Sequence, residues 1–316
     1  MKKKNKKENN LLNNIIFLIC ICFIGIGVYY LKVPLKNKIK NIENNTEEKN
    51  NQNSKNNNNQ NNNNDQKEDK SYEIYKKIPG FKLKNLDRYI EYHNNKPDLS
   101  YDQVVTYVNI GLDHDFYSYI SETDTTYGVN LLVNKFLKLP DNYEPDDLEE
   151  INKEYFINGN LYVRKLRKEA KEAFEKLSKA SIEEGYPVYG QSAYRPYSMQ
   201  VNLYNNALNT MTKEQADDDT ARPGHSEHQT GLTIDVSSNK YGNMLNFENT
   251  DSFQWMQDNA YKYGFILRYT KNETNIHGFM YESWHYRYVG VKVATDMHNN
   301  YPTLTYDEYY YKFIEK

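Results

Sequence analysis

Apolar and polar positions change pattern three times along the chain, and each pattern predicts a different kind of segment. Residues 15–31 form an apolar run behind Lys2, Lys3, Lys4, Lys6 and Lys7. As a helix it spans roughly 25 Å, the short end for crossing a bilayer, and Leu11 and Leu12 can extend it. The lysines in front predict a cytoplasmic N-terminus with the bulk of the chain outside. Gly25-Ile-Gly27 has the form of a signal-peptidase site, but the apolar run continues through Val28, Tyr29 and Tyr30, which favours an uncleaved anchor. Residues 32–70 are Asn, Lys, Glu and Gln, with almost nothing to bury after Ile42. Such a tract cannot offset its ordering entropy, so a disordered stalk with a mean reach of about 35 Å is expected.

Apolar residues return after position 70, and 71–160 is expected to form an accessory segment that packs on the following domain or precedes it as a small subdomain. Leu86, Tyr89, Ile90 and Tyr92 predict a short helix. Tyr101 to Val108 alternates imperfectly and Gly111 ends it. Val129 to Leu137 is apolar and closes at Pro140. Pro145 followed by Asp146, Asp147, Glu149 and Glu150 suits a first helical turn. His93 and His114 lack a second histidine at ligand spacing, so surface or packing roles are expected for them.

The clearest periodicity opens the domain at 161–316. Val163, Leu166, Ala170, Ala173, Phe174, Leu177 and Ala180 recur at three- and four-residue steps, which predicts a helix from Leu161 to Glu184 ended by Gly185. A strand is expected over 187–192, then a helix capped by Ser198 and running to about Leu208. Arg195 then falls at a strand-to-helix junction. Asp217 to Thr220 reads as a polar loop and Ala221 to Gly224 as a turn. Leu232 to Ser237 predicts a strand with Leu232, Ile234 and Val236 on one face and Thr233, Asp235 and Ser237 on the other. A helix at 252–262, strands at 265–269 and 283–289, and helical cover over 291–297 and 305–313 complete the chain.

Composition removes several functions from this picture. A net charge of −3 gives no electrostatic case for nucleic acid. The two cysteines, Cys20 and Cys22, lie in the N-terminal apolar run, so the rest of the chain has no disulfide, cysteine nucleophile or cysteine-ligated metal.

Candidate chemistry concentrates in Ser226-Glu-His-Gln-Thr-Gly-Leu-Thr-Ile-Asp235 and Glu282-Ser-Trp-His285. An unpaired carboxylate in a buried strand is costly, and a cation at Asp235 removes that cost. Gly231 can turn the chain so that His228 meets Asp235 at the same ion. Three His and carboxylate ligands with one open position are the pattern of catalytic zinc, and His228, Asp235 and His285 supply them. Glu282 is left as a base for a water proton. In a strand, Glu282 and His285 fall on opposite faces, so a bend or bulge must bring both into one site. The planar fork of Arg195 suits a carboxylate or a developing oxyanion.

Four ordered blocks carry a resemblance: S-A-Y-R-P-Y-S-M-Q at 192–200, P-G-H-S-E-H-Q-T-G-L-T-I-D-V at 223–236, N-A-Y-K-Y-G-F-I-L-R-Y at 259–269 and Y-E-S-W-H-Y-R-Y-V-G at 281–290. Residues 160–312 resemble the VanY-type D-alanyl-D-alanine carboxypeptidases, zinc peptidases that trim the stem peptides of bacterial peptidoglycan. The resemblance implies an α+β fold, a small antiparallel sheet with helices packed around a zinc site. It implies His228, Asp235 and His285 as zinc ligands, Glu282 as base, and Arg195, Gln200 and Ser226 as substrate-side residues. Relatives usually carry Gly at Ala193, Pro at Ser283 and Thr at His277. His277 can either alter the substrate pocket or be exposed, the latter being favoured, and His225 is expected to have no metal role. The expectation is a single-pass membrane protein with an extracellular, monomeric domain that removes the terminal D-alanine. The alternatives are an L,D-carboxypeptidase acting on tetrapeptide stems and an inactive wall-binding module.

Overall fold

Two distant strands, Thr233–Ser237 and His285–Tyr288, pair antiparallel so that Asp235 lies opposite His285, Ile234 opposite Tyr286 and Thr233 opposite Arg287. The computed structural model describes residues 70–157, 164–242 and 244–315. The apolar run at 15–31, the tract at 32–69 and positions 161–163 of the expected long helix lie outside the described residues. No helix among the described residues is long and apolar enough to cross a membrane.

After a short helical stretch at 70–75 and a 3-10 turn at Leu83–Asn85 come helices α1 (Leu86–Asn95) and α2 (Tyr101–Ile110). The imperfect alternation at 101–108 is helical. Ser100 and Gln103 form a reciprocal capping box, Gly111 closes the helix in the left-handed region, and Val104, Val105 and Val108 make one buried face. A two-residue parallel pair follows, β1 (Ser121–Glu122) with β2 (Leu137–Lys138). Val129 and Asn130 end a 3-10 turn, and residues 131–136 are buried but irregular.

Two expectations fail together at β3 (Leu148–Glu150) and β4 (Lys165–Arg167), which pair antiparallel. The acids after Pro145 form no helical turn, and the helix expected from Leu161 begins only at α3 (Lys168–Glu183). Cross-strand partners satisfy these backbones instead: Leu148 faces Arg167, and the Arg167 N–H donates to the Gly231 carbonyl at 2.8 Å. Leu166 keeps its place in the core from a strand. α3 buries Ala170, Phe174 and Leu177 against the sheet and stops at Gly185, whose φ is +87°.

The principal sheet has four antiparallel strands in the order β5 (Tyr189–Ser192), β6 (Thr233–Ser237), β8 (His285–Tyr288), β7 (Phe265–Leu267). Between β5 and the sheet's next element comes α4 (Tyr197–Leu208), where Pro196 rather than Ser198 holds the cap position and Ser198 lies inside the first turn. The expected polar loop at 217–220 is largely the end of α5 (Lys213–Asp219), started by a capping box between Thr212 and Gln215. Beyond β6 lie α6 (Asp251–Asn259), continued by a 3-10 turn to Tyr263, and α7 (Thr274–His277). After β8 come α8 (Val291–Asn300) and α9 (Tyr306–Tyr309), which runs into a π-helical turn to Ile314.

Alternation in β6 sends Ile234 and Val236 into the main core with Phe174, Trp255, Met256 and Tyr286. Its other face, with Thr233, Asp235 and Ser237, is equally buried. A second core joins Ile110, Leu132 and Phe136 to Ile276, Val289, Met297 and Tyr306, so residues before 160 and residues after 270 share buried surface. The result is an α+β fold of small sheets and helices.

Candidate metal centre

Asp235 occupies the middle of β6, on the face turned away from Ile234 and Val236, and is 4% exposed. Antiparallel register places His285 directly across from it. His228 arrives from the other side on a 3-10 turn, Glu227–Thr230, that ends at Gly231 with φ +68°. The left-handed conformation favours glycine there, and a side chain would in addition meet Leu148 at 2.8 Å. One donor atom each from His228, Asp235 and His285 lie within 4.8 Å of one another, and all three residues are buried.

Carbonyl and carboxylate neighbours fix which ring nitrogen faces the centre. Nδ1 of His228 lies 2.7 Å from the Ala193 carbonyl oxygen. That oxygen can only accept, so Nδ1 carries the proton and Nε2, 3.3 Å from Asp235 Oδ2, presents a lone pair. His285 is turned the other way. Its Nδ1 faces Asp235 Oδ1 at 3.3 Å and Glu282 Oε2 at 3.2 Å, while Nε2 lies 3.4 Å from Glu227 Oε2. The two rings cross at 89° with centroids 5.2 Å apart, and Tyr269 packs on His285 at 4.6 Å.

Glu282 reaches this group without a bulge. Ser283 and Trp284 form a turn in which the His285 N–H donates to the Glu282 carbonyl at 3.2 Å, so both side chains come to one side. The Glu282 side chain, at 19% exposure, is more open than Asp235 or His285.

Arg195 sits between β5 and α4, and its N–H donates to the His228 carbonyl at 3.1 Å. Nη1 donates to Gln200 Oε1 at 3.0 Å and Nη2 to Ser192 Oγ at 3.2 Å. Gln200 donates from Nε2 to the Ala221 carbonyl at 2.7 Å, so both ends of its carboxamide are engaged by protein. Ser226 is buried at the start of the His228 turn.

Electrostatics follow from this packing. Burial disfavours the Asp235 carboxylate, but His228 and His285 beside it outweigh burial and hold it well below the usual range. Burial lowers the His228 pKa, with Arg195 acting in the same direction. Burial also opposes a charged His285, yet Asp235, Glu227 and Glu282 around it win and push its pKa well above the ordinary value. Burial raises the Glu282 pKa against the opposing pull of His285.

His277 is buried, contrary to expectation. It accepts the Phe279 N–H on Nδ1 at 3.2 Å and packs on Tyr269. His225 lies on Tyr117 with Nδ1 at 2.8 Å from the Asn134 carbonyl. His93 packs on Tyr75 and Tyr101, and His114 stacks on Tyr119.

Sequence reasoning missed Glu227. Its carboxylate is fully buried and takes Arg268 and Arg287 at 2.9 and 2.8 Å. The only signal was an acid beside a ligand candidate, with both arginines inside the quoted blocks but without assigned roles.

Residues 163–291 match VanY, D-alanyl-D-alanine carboxypeptidase. The chain is 44% identical to YodJ of Bacillus subtilis (strain 168) over 183 residues, 57% of this chain and 66% of that one. It is 32% identical to VanXYC of Enterococcus gallinarum, a bifunctional D-Ala-D-Ala dipeptidase and carboxypeptidase, over 51% of this chain and 83% of that one. The solved LdcB LD-carboxypeptidase superposes with a TM-score of 0.57 at 39% identity, covering 62% of this chain and 91% of the other. The chain spans about half to two thirds of the length of several curated relatives, YodJ among them. Ordered blocks, fold and the converging His, Asp and His side chains all agree, and the chain belongs to the VanY-type D-alanyl-D-alanine carboxypeptidase family.

Proposed function

We propose that the protein is a zinc-dependent carboxypeptidase that releases the C-terminal D-alanine of peptidoglycan stem peptides. The observation that carries the reading is the centre around Asp235. Oδ1 of this buried carboxylate has no hydrogen-bond partner among the described residues, although His285 Nδ1 lies nearby. An orphaned carboxylate oxygen is expensive unless a cation meets it. With the lone pairs of His228 Nε2 and His285 Nδ1 aimed at the same point, the donor set of two imidazoles and a carboxylate suits catalytic zinc.

When bound there, zinc would polarise the scissile carbonyl and make an attacking water more acidic. Glu282 lies on the open side of the group and takes the proton of that water, then delivers it to the departing amine of D-alanine. Burial raises its pKa, which suits a group that must both accept and return a proton. Arg195 presents a guanidinium held by Ser192 and Gln200. It stabilises charge developing on the carbonyl oxygen or binds the terminal carboxylate.

Two bonds fit this chemistry: D-Ala–D-Ala in a pentapeptide stem, and the L,D bond before the last residue of a tetrapeptide stem. The likeness to LdcB, at 39% identity over 91% of that chain, favours the second. The apolar run at 15–31 would tether the domain outside the cell. The test is release of D-alanine from muropeptides ending in D-Ala-D-Ala and from tetrapeptide muropeptides, followed by mass spectrometry with and without a chelator. Chelator-sensitive release supports the reading and its substrate names the bond. No release from either, with zinc bound, would replace the carboxypeptidase with an endopeptidase or a wall-binding module.

A further inference from the structure

The His285 imidazole has a second edge that the chemistry above leaves unused. Nε2 points to Glu227 Oε2 at 3.4 Å, while the other oxygen of that carboxylate accepts from Arg268 Nε at 2.9 Å and Arg287 Nη1 at 2.8 Å. Arg268 Nη1 donates to Asp307 Oδ2 at 2.7 Å, and Asp307 Oδ1 accepts from Asn134 Nδ2 at 2.8 Å. Arg287 Nη2 donates to the carbonyls of Val129 and Leu131. All four charged side chains have zero exposure.

Such a set is a poor device for stability alone. Desolvating two cations and two anions is costly, and apolar residues of similar volume would hold a core as well or better. Apolar residues cannot accept a hydrogen bond from an imidazole. An ionised carboxylate is acceptor-only, so Glu227 suits a proton on Nε2 of His285, and Nδ1 is then the nitrogen left to a cation shared with Asp235.

We propose that Glu227 is a positioning residue for His285, and that Arg268, Arg287 and Asp307 hold Glu227 in place. The inference rests on the reading of His285 as a zinc ligand. It extends the metal centre beyond the stretch at 163–291 that matches the family, because Asn134 and Asp307 lie outside it. The segment at 129–134 and the start of α9 then serve the metal as well as the core.

The test uses the full-length protein with zinc and, separately, cobalt(II) as probes. Zinc affinity is measured by competition with a chromophoric chelator for wild type, Glu227→Gln and Asp307→Asn, together with the visible spectrum of the cobalt forms. Glu227→Gln should weaken zinc binding by about 10–100-fold and alter the cobalt spectrum, with the peptide KM within about twofold of wild type. Asp307→Asn should shift zinc affinity in the same direction by less. The rise in Tm produced by zinc should shrink in both variants, which separates a loss at the metal from a general loss of stability. A folded Glu227→Gln with wild-type zinc affinity and cobalt spectrum overturns the proposal. If that variant does not fold, nitrogen-15 NMR of the histidines in zinc-loaded wild type decides: a proton on His285 Nε2 supports the proposal, and a proton on Nδ1 overturns it. A wild type that binds no zinc overturns the underlying metal reading, and the proposal with it.

Discussion

Arg195 Nη1 donates to Gln200 Oε1 at 3.0 Å, and Gln200 is itself anchored through Nε2 to the Ala221 carbonyl. The carboxamide therefore ties the guanidinium to the backbone at Ala221. Arg195→Ala should lower kcat by about 10²–10³, the cost of a lost donor to developing charge. Gln200→Ala should lower kcat by roughly tenfold with KM little changed, because the arginine remains but loses its aim. Steady-state kinetics on D-alanine release check both, and a larger effect on KM than on kcat would make Gln200 a binding residue.

Glu282 and His228 should separate turnover from metal content. Glu282→Ala removes the base and leaves the three ligand candidates, so zinc stays at wild-type stoichiometry while kcat falls by about 10²–10⁴. His228→Ala removes a donor and should lose both. Metal analysis beside activity distinguishes them, and substantial activity in Glu282→Ala would show that another group takes the proton.

Zinc uptake should depend on pH with a defined sign. The carboxylates around His285 raise its pKa well above the ordinary value, so without metal the ring holds a proton more tightly than a free imidazole does. Zinc must displace that proton. Affinity should therefore rise with pH by up to about tenfold per unit while His285 is protonated, with release of about one proton on binding. Calorimetry in two buffers of different ionisation enthalpy measures the proton directly.

Buried His277 should make the fold acid-sensitive. Burial lowers its pKa from 6.5 to about 4, so the folded state keeps the ring neutral while the unfolded chain protonates it. The contribution is present above about pH 6.5 and is lost as pH falls towards 4, by up to roughly 1.4 kcal/mol per pH unit. Denaturant unfolding of chelator-treated protein across that window should show a shallower decline for His277→Gln than for wild type.

Gly190 tests the packing under the site. A Cβ there would meet Phe156 at 2.6 Å and Ile234 at 2.8 Å. Gly190→Ala should destabilise the fold by about 1–3 kcal/mol through overpacking, read as a lower midpoint in urea. An unchanged midpoint would mean that Phe156 can move aside.

Much of the site was legible because its chemistry is local. An Asp between core-facing Ile234 and Val236 must point away from the core, and Gly231 supplies the turn that returns His228. The Leu161–Glu184 periodicity found Ala170, Phe174 and Leu177 but placed the helix start too early. Residues 165–167 instead pair with 148–150, a pairing that no local pattern announces. The same limit hid the helix at 101–110, where clustered valines imitate a strand and only the Ser100–Gln103 box reveals the cap. His277 was expected at the surface because nothing near it in sequence shows that Tyr269 covers it.

By itself, then, the sequence determined the donor types, the face on which Asp235 lies and the turn behind His228. All of these follow from side-chain chemistry and from the two-residue repeat of a strand. Only the tertiary structure decided that β6 and β8 pair with Asp235 opposite His285, and that the Ala193 carbonyl and Glu227 select opposite nitrogens of the two imidazoles. Strand register and ring tautomer are set by partners dozens of residues away. Their energies belong to contacts that exist only after the chain has closed on itself.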